Sequence, residues 1–213
     1  FRSSDEWELI PIGRKIDLLC GYAFKSDEIS HDESGIPLMR GINITEGFIR
    51  HNQDIDRFFT GDIKELEKYQ LQTNDLVIGM DGSCLLYTSR RGKNSSLIDQ
   101  CDDGALLVQR VARLRSKSTA TIDFIFHHIN SNKFHSYVER INTSSGIPHI
   151  SAQQIQDFKV CFPKDIMEQK KIVDCLSTID NLITEQIQKI EALKAHKKGL
   201  LQGLFPSIEE VDK

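Results

Sequence analysis

The sequence predicts an α+β fold, in which a globular part of mixed α and β structure precedes one long helix of the coiled-coil type. Short runs rich in Val, Ile, Leu and Phe, bounded by Gly, Asp or Pro, are typical of strands. Stretches with apolar residues three and four apart indicate helices, and a heptad pattern follows Pro163. We therefore expect a globular domain over residues 1–163, a long helix over 164–205 and a C-terminal tail over 206–213.

The elements of the globular domain follow from these patterns in order along the chain. The apolar residues of Thr121–Ile141 are mostly three or four positions apart, with one break in the pattern. This spacing predicts one or two helices packed on a sheet. A shorter helix is expected over Asp62–Tyr69. The predicted strands are Ile36–Ile44, Asp75–Met80, Ala105–Leu114 and Ile155–Phe162.

The long helix is predicted to begin after Asp165, which can cap it, and to close at Gly203 and Pro206. Its apolar residues alternate in steps of four and three, as in a coiled-coil seam, in which only Gln186 and Lys197 are polar. The ten positions of this seam are Ile172, Leu176, Ile179, Ile183, Gln186, Ile190, Leu193, Lys197, Leu200 and Leu204.

A helix of this length needs a partner. Forty residues rising ~1.5 Å each make a rod of roughly 60 Å, whereas a domain of this size is only about 30 Å across. We therefore expect the helix to project from the domain and its seam to pair with another helix. The alternative is a helix folded back on the domain and broken near Gly199.

Composition and charge limit the possible functions. The net charge of −4 opposes a stand-alone protein that binds nucleic acid tightly by charge alone, but allows a base-reading module whose partner supplies affinity. Five scattered cysteines without a C-x-x-C pair predict reduced, mostly buried thiols in a cytoplasmic protein. No apolar stretch is long enough to span a bilayer, so no membrane partner is expected.

No catalytic constellation is evident in the sequence. Asp81–Cys84 places a nucleophile beside an acid but lacks the G-x-S-x-G spacing. The H-E-x-x-H, Walker A and dinucleotide-binding patterns are missing, as are the Asn-Pro-Pro-Tyr and Pro-Cys signatures of DNA methyl transfer. The chain is therefore predicted not to be an enzyme and to carry no cofactor or metal of its own.

Polar groups suited to nucleic acid cluster in three places. Arg and Asn are side chains that pair with guanine and adenine edges, and polar loops contact phosphates. Cys84–Ser118 also holds seven Lys or Arg against three Asp, a local balance of +4. Each place taken alone is more typical of an ordinary solvated loop, but the three together favour an extended polar binding face. The candidate DNA-binding residues of these loops are Arg40, Asn43, Arg90, Arg91, Lys93, Asn94, Ser144, Ser145 and His149.

Several blocks of the sequence form a recognisable pattern through their order and spacing. The blocks are Trp7–Gly13, Gly21–Ser26, Gly35–Ile44, Asp75–Gly82, Ser145–Ser151, Pro163, Glu168–Ile172, Leu176, Leu193–Lys194 and Lys197–Gln202. This pattern resembles one half of the DNA-specificity subunit of type I restriction-modification systems. Lys25, within Gly21–Ser26, joins the DNA-binding candidates.

The resemblance implies a target recognition domain followed by a long conserved helix, with two such units in a full-length subunit. The two helices would pair antiparallel, and each domain would read one part of a bipartite sequence in double-stranded DNA. Methyl transfer would belong to a modification subunit and cleavage to a restriction subunit.

Since this chain holds one such unit, it is expected to be either half of a longer subunit or a half-size one. As a half-size subunit it would form a homodimer through a second, equivalent helix. The alternatives are a helix-mediated adaptor protein without nucleic-acid binding, and a nuclease or methyltransferase acting alone.

Overall fold

The computed structural model of the chain describes residues 6–81, 94–141 and 149–205. Contacts divide the chain into two compact units, Phe1–Lys170 and Lys171–Lys213. Among the described residues, none of the helices combines the length and apolar character needed to cross a membrane.

The strands in the described part of the first unit form three small sheets. One pairs β1 with β10, the second has the order β2-β9-β6-β7, and the third has the order β3-β5-β4-β8 with a parallel β4–β8 pair. The strands are β1 (Trp7–Pro11), β2 (Ile16–Cys20), β3 (Ile29–Ser30), β4 (Ile36–Met39), β5 (Phe58–Phe59), β6 (Leu76–Gly79), β7 (Ser95–Leu97), β8 (Leu106–Leu107), β9 (Val111–Ser116) and β10 (Lys159–Pro163).

The middle of the second sheet is fully buried, which fits the continuous apolar run of β6. All four residues of β6 are buried, and the strand lies between β7 and β9 with Leu76 opposite Leu114. A strand that is buried on both faces has an unbroken run of apolar residues in its sequence. β6 and β9 therefore provide a rigid base for the loops at their ends.

The described residues of the first unit also form three shorter helices: α1 (Ile122–Ile129), α2 (Asn132–Ile141) and α3 (Ala152–Asp157). α1 buries Phe124, Ile125 and Ile129, as its spacing in threes and fours requires. The predicted helical stretch over residues 121–141 is thus two helices, separated at Ser131.

Two expected strands are interrupted. The run predicted over Ile36–Ile44 is a strand only to Met39, because the chain then turns, with the Asn43 amide donating to the Arg40 carbonyl at 2.9 Å. The run Ala105–Leu114 is split into β8 and β9 by a left-handed residue, Arg110, at φ +66°.

Two further elements differ in type or length from the expectation. Ile155 lies in α3 rather than in a strand, because Ser151 and Gln154 form a reciprocal capping box that starts a helix. Of the helix expected over Asp62–Tyr69, only the 3-10 turn Glu67–Tyr69 forms.

The long helix α4 (Ile166–Leu204) is continuous and begins within the first unit. Asp165 caps it as predicted, with its carboxylate accepting the Met167 amide hydrogen at 2.9 Å. Gln169, fully buried, donates to the Pro163 and Thr119 carbonyls and accepts from the Thr121 amide.

In the second unit the structure describes the remainder of α4, which runs through Gly199 without a break and ends at Leu204, between the predicted closing residues Gly203 and Pro206. From Leu176 onward the apolar seam is open to solvent, with Ile183, Ile190 and Leu193 each 50–60% exposed. A stripe of this kind is what a helix presents to a partner helix.

The cysteine expectation is wrong in one respect. The described cysteines, Cys20, Cys101, Cys161 and Cys175, are all free and exposed rather than buried.

Candidate nucleic-acid interface

Four separate segments meet where β6 ends. The Gly79 amide donates to the Asn94 carbonyl at 2.9 Å, and the Met80 amide donates to the Arg110 carbonyl at 2.8 Å. The Ile150 amide donates to the Met80 carbonyl at 2.9 Å. Backbone bonding thus brings the end of β6 together with Asn94, Arg110 and Ile150, which are distant from it in the sequence.

Asp81, the residue that follows this junction, holds the side chains of Arg110 and His149. One carboxylate oxygen accepts from the Arg110 guanidinium, and the other lies 2.6 Å from His149 Nδ1. Partial burial by itself raises the pKa of Asp81, but the hydrogen bonds from Arg110 and His149 outweigh it, and the pKa stays below its ordinary value. Asp81 is therefore a carboxylate at neutral pH.

Arg110 is presented to solvent from an unusual backbone. Its φ of +66° is a conformation that side chains other than Gly, Asn and Asp rarely adopt. The side chain is 65% exposed, while one guanidinium nitrogen is held by Asp81. An arginine in a strained position beside a carboxylate is a candidate functional residue. We call Asp81, Arg110 and His149 the β6-end cluster.

The structure places two of the sequence candidates at this junction. His149 is half exposed within the β6-end cluster, and Asn94 precedes β7 and bonds to the end of β6. Lys25 lies elsewhere, exposed, ahead of β3 in a different sheet, where its amide donates to the Glu28 carboxylate at 2.8 Å.

The side chains of Arg40 and Asn43 form hydrogen bonds within the domain. Asn43 is only 2% exposed, and its side-chain nitrogen donates to the Arg50 carbonyl and to Asp56 at 2.8 Å. The half-buried Arg40 donates to the Ile55 carbonyl at 3.1 Å. These contacts fasten the loop after β4, and they leave Asn43 no exposed amide with which to read a base.

Arg90, Arg91, Lys93, Ser144 and Ser145 lie outside the described residues. The basic stretch from Cys84 to Ser118 is less available than its composition suggests. Arg113 is nearly buried, and Arg115 forms two hydrogen bonds with Asp75, one of them 2.8 Å long.

Asp81 and Arg110 were not predicted to be DNA-binding residues. Their pairing has no local signal, because it depends on the register that sets the end of β6 beside the start of β9. Among the described residues, no group of three His, Cys, Asp or Glu side chains is arranged to hold a metal ion.

Comparison with protein families identifies the class of this molecule. The family model for the type I restriction modification DNA specificity domain matches residues 4–194. The chain therefore belongs to this family, as the sequence resemblance predicted.

Curated relatives agree with this assignment. The chain is 29% identical over 184 residues to the type I restriction enzyme EcoAI specificity subunit of Escherichia coli, covering 86% of this chain and 29% of that protein. It is 27% identical over 204 residues to the EcoBI specificity subunit of the same species, covering 94% of this chain and 38% of that protein.

Solved structures share the fold. A chain from a study of assembly and conformational transition of the type I R-M system has a TM-score of 0.68 at 13% identity, covering 95% of this chain and 45% of that one. The HsdS subunit from Thermoanaerobacter tengcongensis has a TM-score of 0.60 at 13% identity, covering 89% of this chain and 41% of that one. The chain thus spans less than half the length of these relatives and neighbours.

Proposed function

We propose that this chain is a sequence-specific DNA-binding unit that reads one part of a bipartite target. The observation that carries the proposal is the family match over residues 4–194, which includes both the globular domain and most of α4. The curated relatives are named as specificity subunits of restriction enzymes, which is a recognition role.

The β6-end cluster supports the proposal chemically. Arg110 can donate to a phosphate or base edge while Asp81 fixes its direction, and the half-exposed His149 adds a second polar side chain held by the same carboxylate. The proposed contacts Arg90, Arg91 and Lys93 lie between Asp81 and Asn94 in the sequence, and Ser144 and Ser145 lie shortly before His149. The proposed DNA-reading segments are therefore those attached to this cluster.

The seam of α4 supports a second part of the proposal. Its exposed apolar residues would pair with an equivalent helix, either within a longer chain or in a second copy as a homodimer. The modification and restriction subunits would then supply methyl transfer and cleavage on this scaffold, in the cytoplasm where the DNA is, and this chain would remain non-catalytic.

The test begins with the whole chain and a pool of randomised DNA duplexes. Repeated selection should enrich one sequence element, and binding to the enriched duplex should weaken with salt as phosphate contacts are screened. Replacing Arg110 by Gly removes the side chain and relaxes its positive φ, so the fold is kept. We expect affinity for the enriched duplex to fall about 10-fold, which is ~1.4 kcal/mol.

The matched control is Arg14→Ala, which removes another exposed arginine of the first unit, in the turn between β1 and β2. Its affinity should stay within about twofold of the unchanged chain, as expected for an uninvolved surface residue. If no duplex is enriched at low salt while the chain still self-associates, the adaptor function is the correct one.

A further inference from the structure

A hairpin bonded to the start of β7 exposes an aromatic side chain. The hairpin covers residues 43–50, with Ile44 paired to Ile49 and the Arg50 amide donating to the Asn43 carbonyl at 2.7 Å. Successive side chains of a strand point to opposite faces. Ile44 is accordingly buried in the core with Ile49 packed against the same cluster, and Phe48 faces outward, 59% exposed.

The tip of this hairpin is fixed in place. The Phe48 carbonyl accepts from both the amide and the hydroxyl of Thr45, at 3.1 and 2.6 Å. Gly47 takes the positive φ of +84° that the turn needs, and its amide donates to the Ser95 carbonyl at 3.0 Å. Phe48 is therefore an exposed apolar group on a turn that hydrogen bonds hold in place.

The hydrogen bond from Gly47 to Ser95 connects the hairpin to the proposed DNA-reading segments. Ser95 follows Asn94 directly, and Asn94 bonds to Gly79 two residues before Asp81. The Ser95 hydroxyl in turn donates to Asn130 at 2.8 Å, which ties the same point to the end of α1. The hairpin tip is thus bonded to the start of β7, which pairs with the end of β6.

The base of the hairpin adds an apolar and a cationic group. Ile42 is 43% exposed, and its carbonyl holds the guanidinium of the exposed Arg50 at 2.8 Å. Apolar wedges flanked by arginine are the means by which proteins partly unstack and bend a duplex, or stack on exposed bases. A neighbouring protein surface could also bury Phe48, but the exposed Arg50, two residues along the same hairpin strand, favours a polyanion.

We propose that Phe48 is a stacking wedge that packs against the bases of the target DNA, with Arg50 contacting the adjacent phosphates. This inference depends on the proposed DNA-reading function and adds one specific residue to it. The wedge would supply shape-dependent recognition next to the polar readout of the β6-end cluster.

The experiment uses the full chain and the duplex that it enriches from a randomised pool. Phe48→Ala should weaken binding about 10-fold, in the range found for loss of one base–aromatic stack. Phe48→Tyr keeps the ring and should bind like the unchanged chain. The matched control is Leu9→Ala, another large apolar residue, 63% exposed, in the two-stranded sheet, and it should bind normally.

A second readout reports on the bases directly. With 2-aminopurine substituted in turn at each adenine of the enriched duplex, binding should raise the fluorescence at one step, because unstacking relieves its quenching. That increase should persist with Phe48→Tyr and disappear with Phe48→Ala. Normal affinity and normal fluorescence with Phe48→Ala would overturn the wedge while leaving DNA reading intact.

Two other outcomes would also overturn it. Failure of the unchanged chain to enrich any duplex would remove both the wedge and the proposed function. Unchanged DNA binding by Phe48→Ala, together with lost binding to a modification subunit, would assign the hairpin to a protein contact instead.

Discussion

At the scale of single residues, His128 on α1 couples the fold to pH. Its ring lies 4.7 Å from that of Phe124, and burial, helped by Lys133 and His127, lowers the pKa of His128 to about 4. The unfolded chain binds a proton near pH 6.5, and the folded chain does not. The stability contributed by neutral His128 is therefore complete above pH 6.5 and is lost as the pH falls towards 4.

We expect the free energy of unfolding to drop by up to about 3 kcal/mol between pH 7 and pH 4 on account of this residue. In His128→Leu that part of the drop should disappear, which urea unfolding at several pH values would measure. His31→Gln, at an exposed histidine ahead of β4, should keep the full drop. Equal acid sensitivity in His128→Leu and the unchanged chain would contradict the assignment.

At the scale of elements, the α4 seam is the feature that the sequence predicted best. Helix periodicity is local, so the spacing from Ile172 to Leu204 was sufficient to define one helix and its apolar stripe. The β6-end cluster could not be predicted in the same way, because Asp81, Arg110 and His149 meet only through sheet register. The burial of Asn43 could not be predicted for a related reason, because its residue type suits base reading and only tertiary packing buries it.

The seam also makes a prediction about assembly. Ile183 is 51% exposed in the centre of the stripe, and placing a charge there should oppose burial against a partner helix. Ile183→Glu should raise the dissociation constant of the proposed dimer at least about 10-fold, since a buried isoleucine contributes roughly 1.5–3 kcal/mol. Analytical ultracentrifugation over a range of concentrations would measure this.

Gln188→Glu introduces the same side chain outside the seam on the same exposed helix, and its association should be unchanged. Circular dichroism should give equal helix content for both variants, because glutamate is a good helix former. A monomeric unchanged chain at high concentration would remove the homodimer from the proposal.

At the scale of the whole molecule, the proposed dimer would impose symmetry on its target. A dimer with two-fold symmetry presents two identical reading surfaces related by that axis, and such proteins bind inverted repeats. We therefore expect the enriched duplexes to carry one element twice, in opposite orientations, at a fixed spacing. Sequencing of the selected pool measures this, and Ile183→Glu should enrich single elements instead. A single unrepeated element in the pool selected by the unchanged chain would contradict a symmetric reader.

The buried Gln169 has a consequence for exchanging specificities between members of this family. Its amide group bonds to backbone atoms of Pro163, Thr119 and Thr121, so the first turn of α4 belongs structurally to the domain that precedes it. A hybrid gene joined at Pro163 would take Gln169 from one parent and the residues that it bonds to, Thr119 and Thr121, from the other. Recombination that transfers a complete reading domain should therefore cross over after Lys170, where the first compact unit ends.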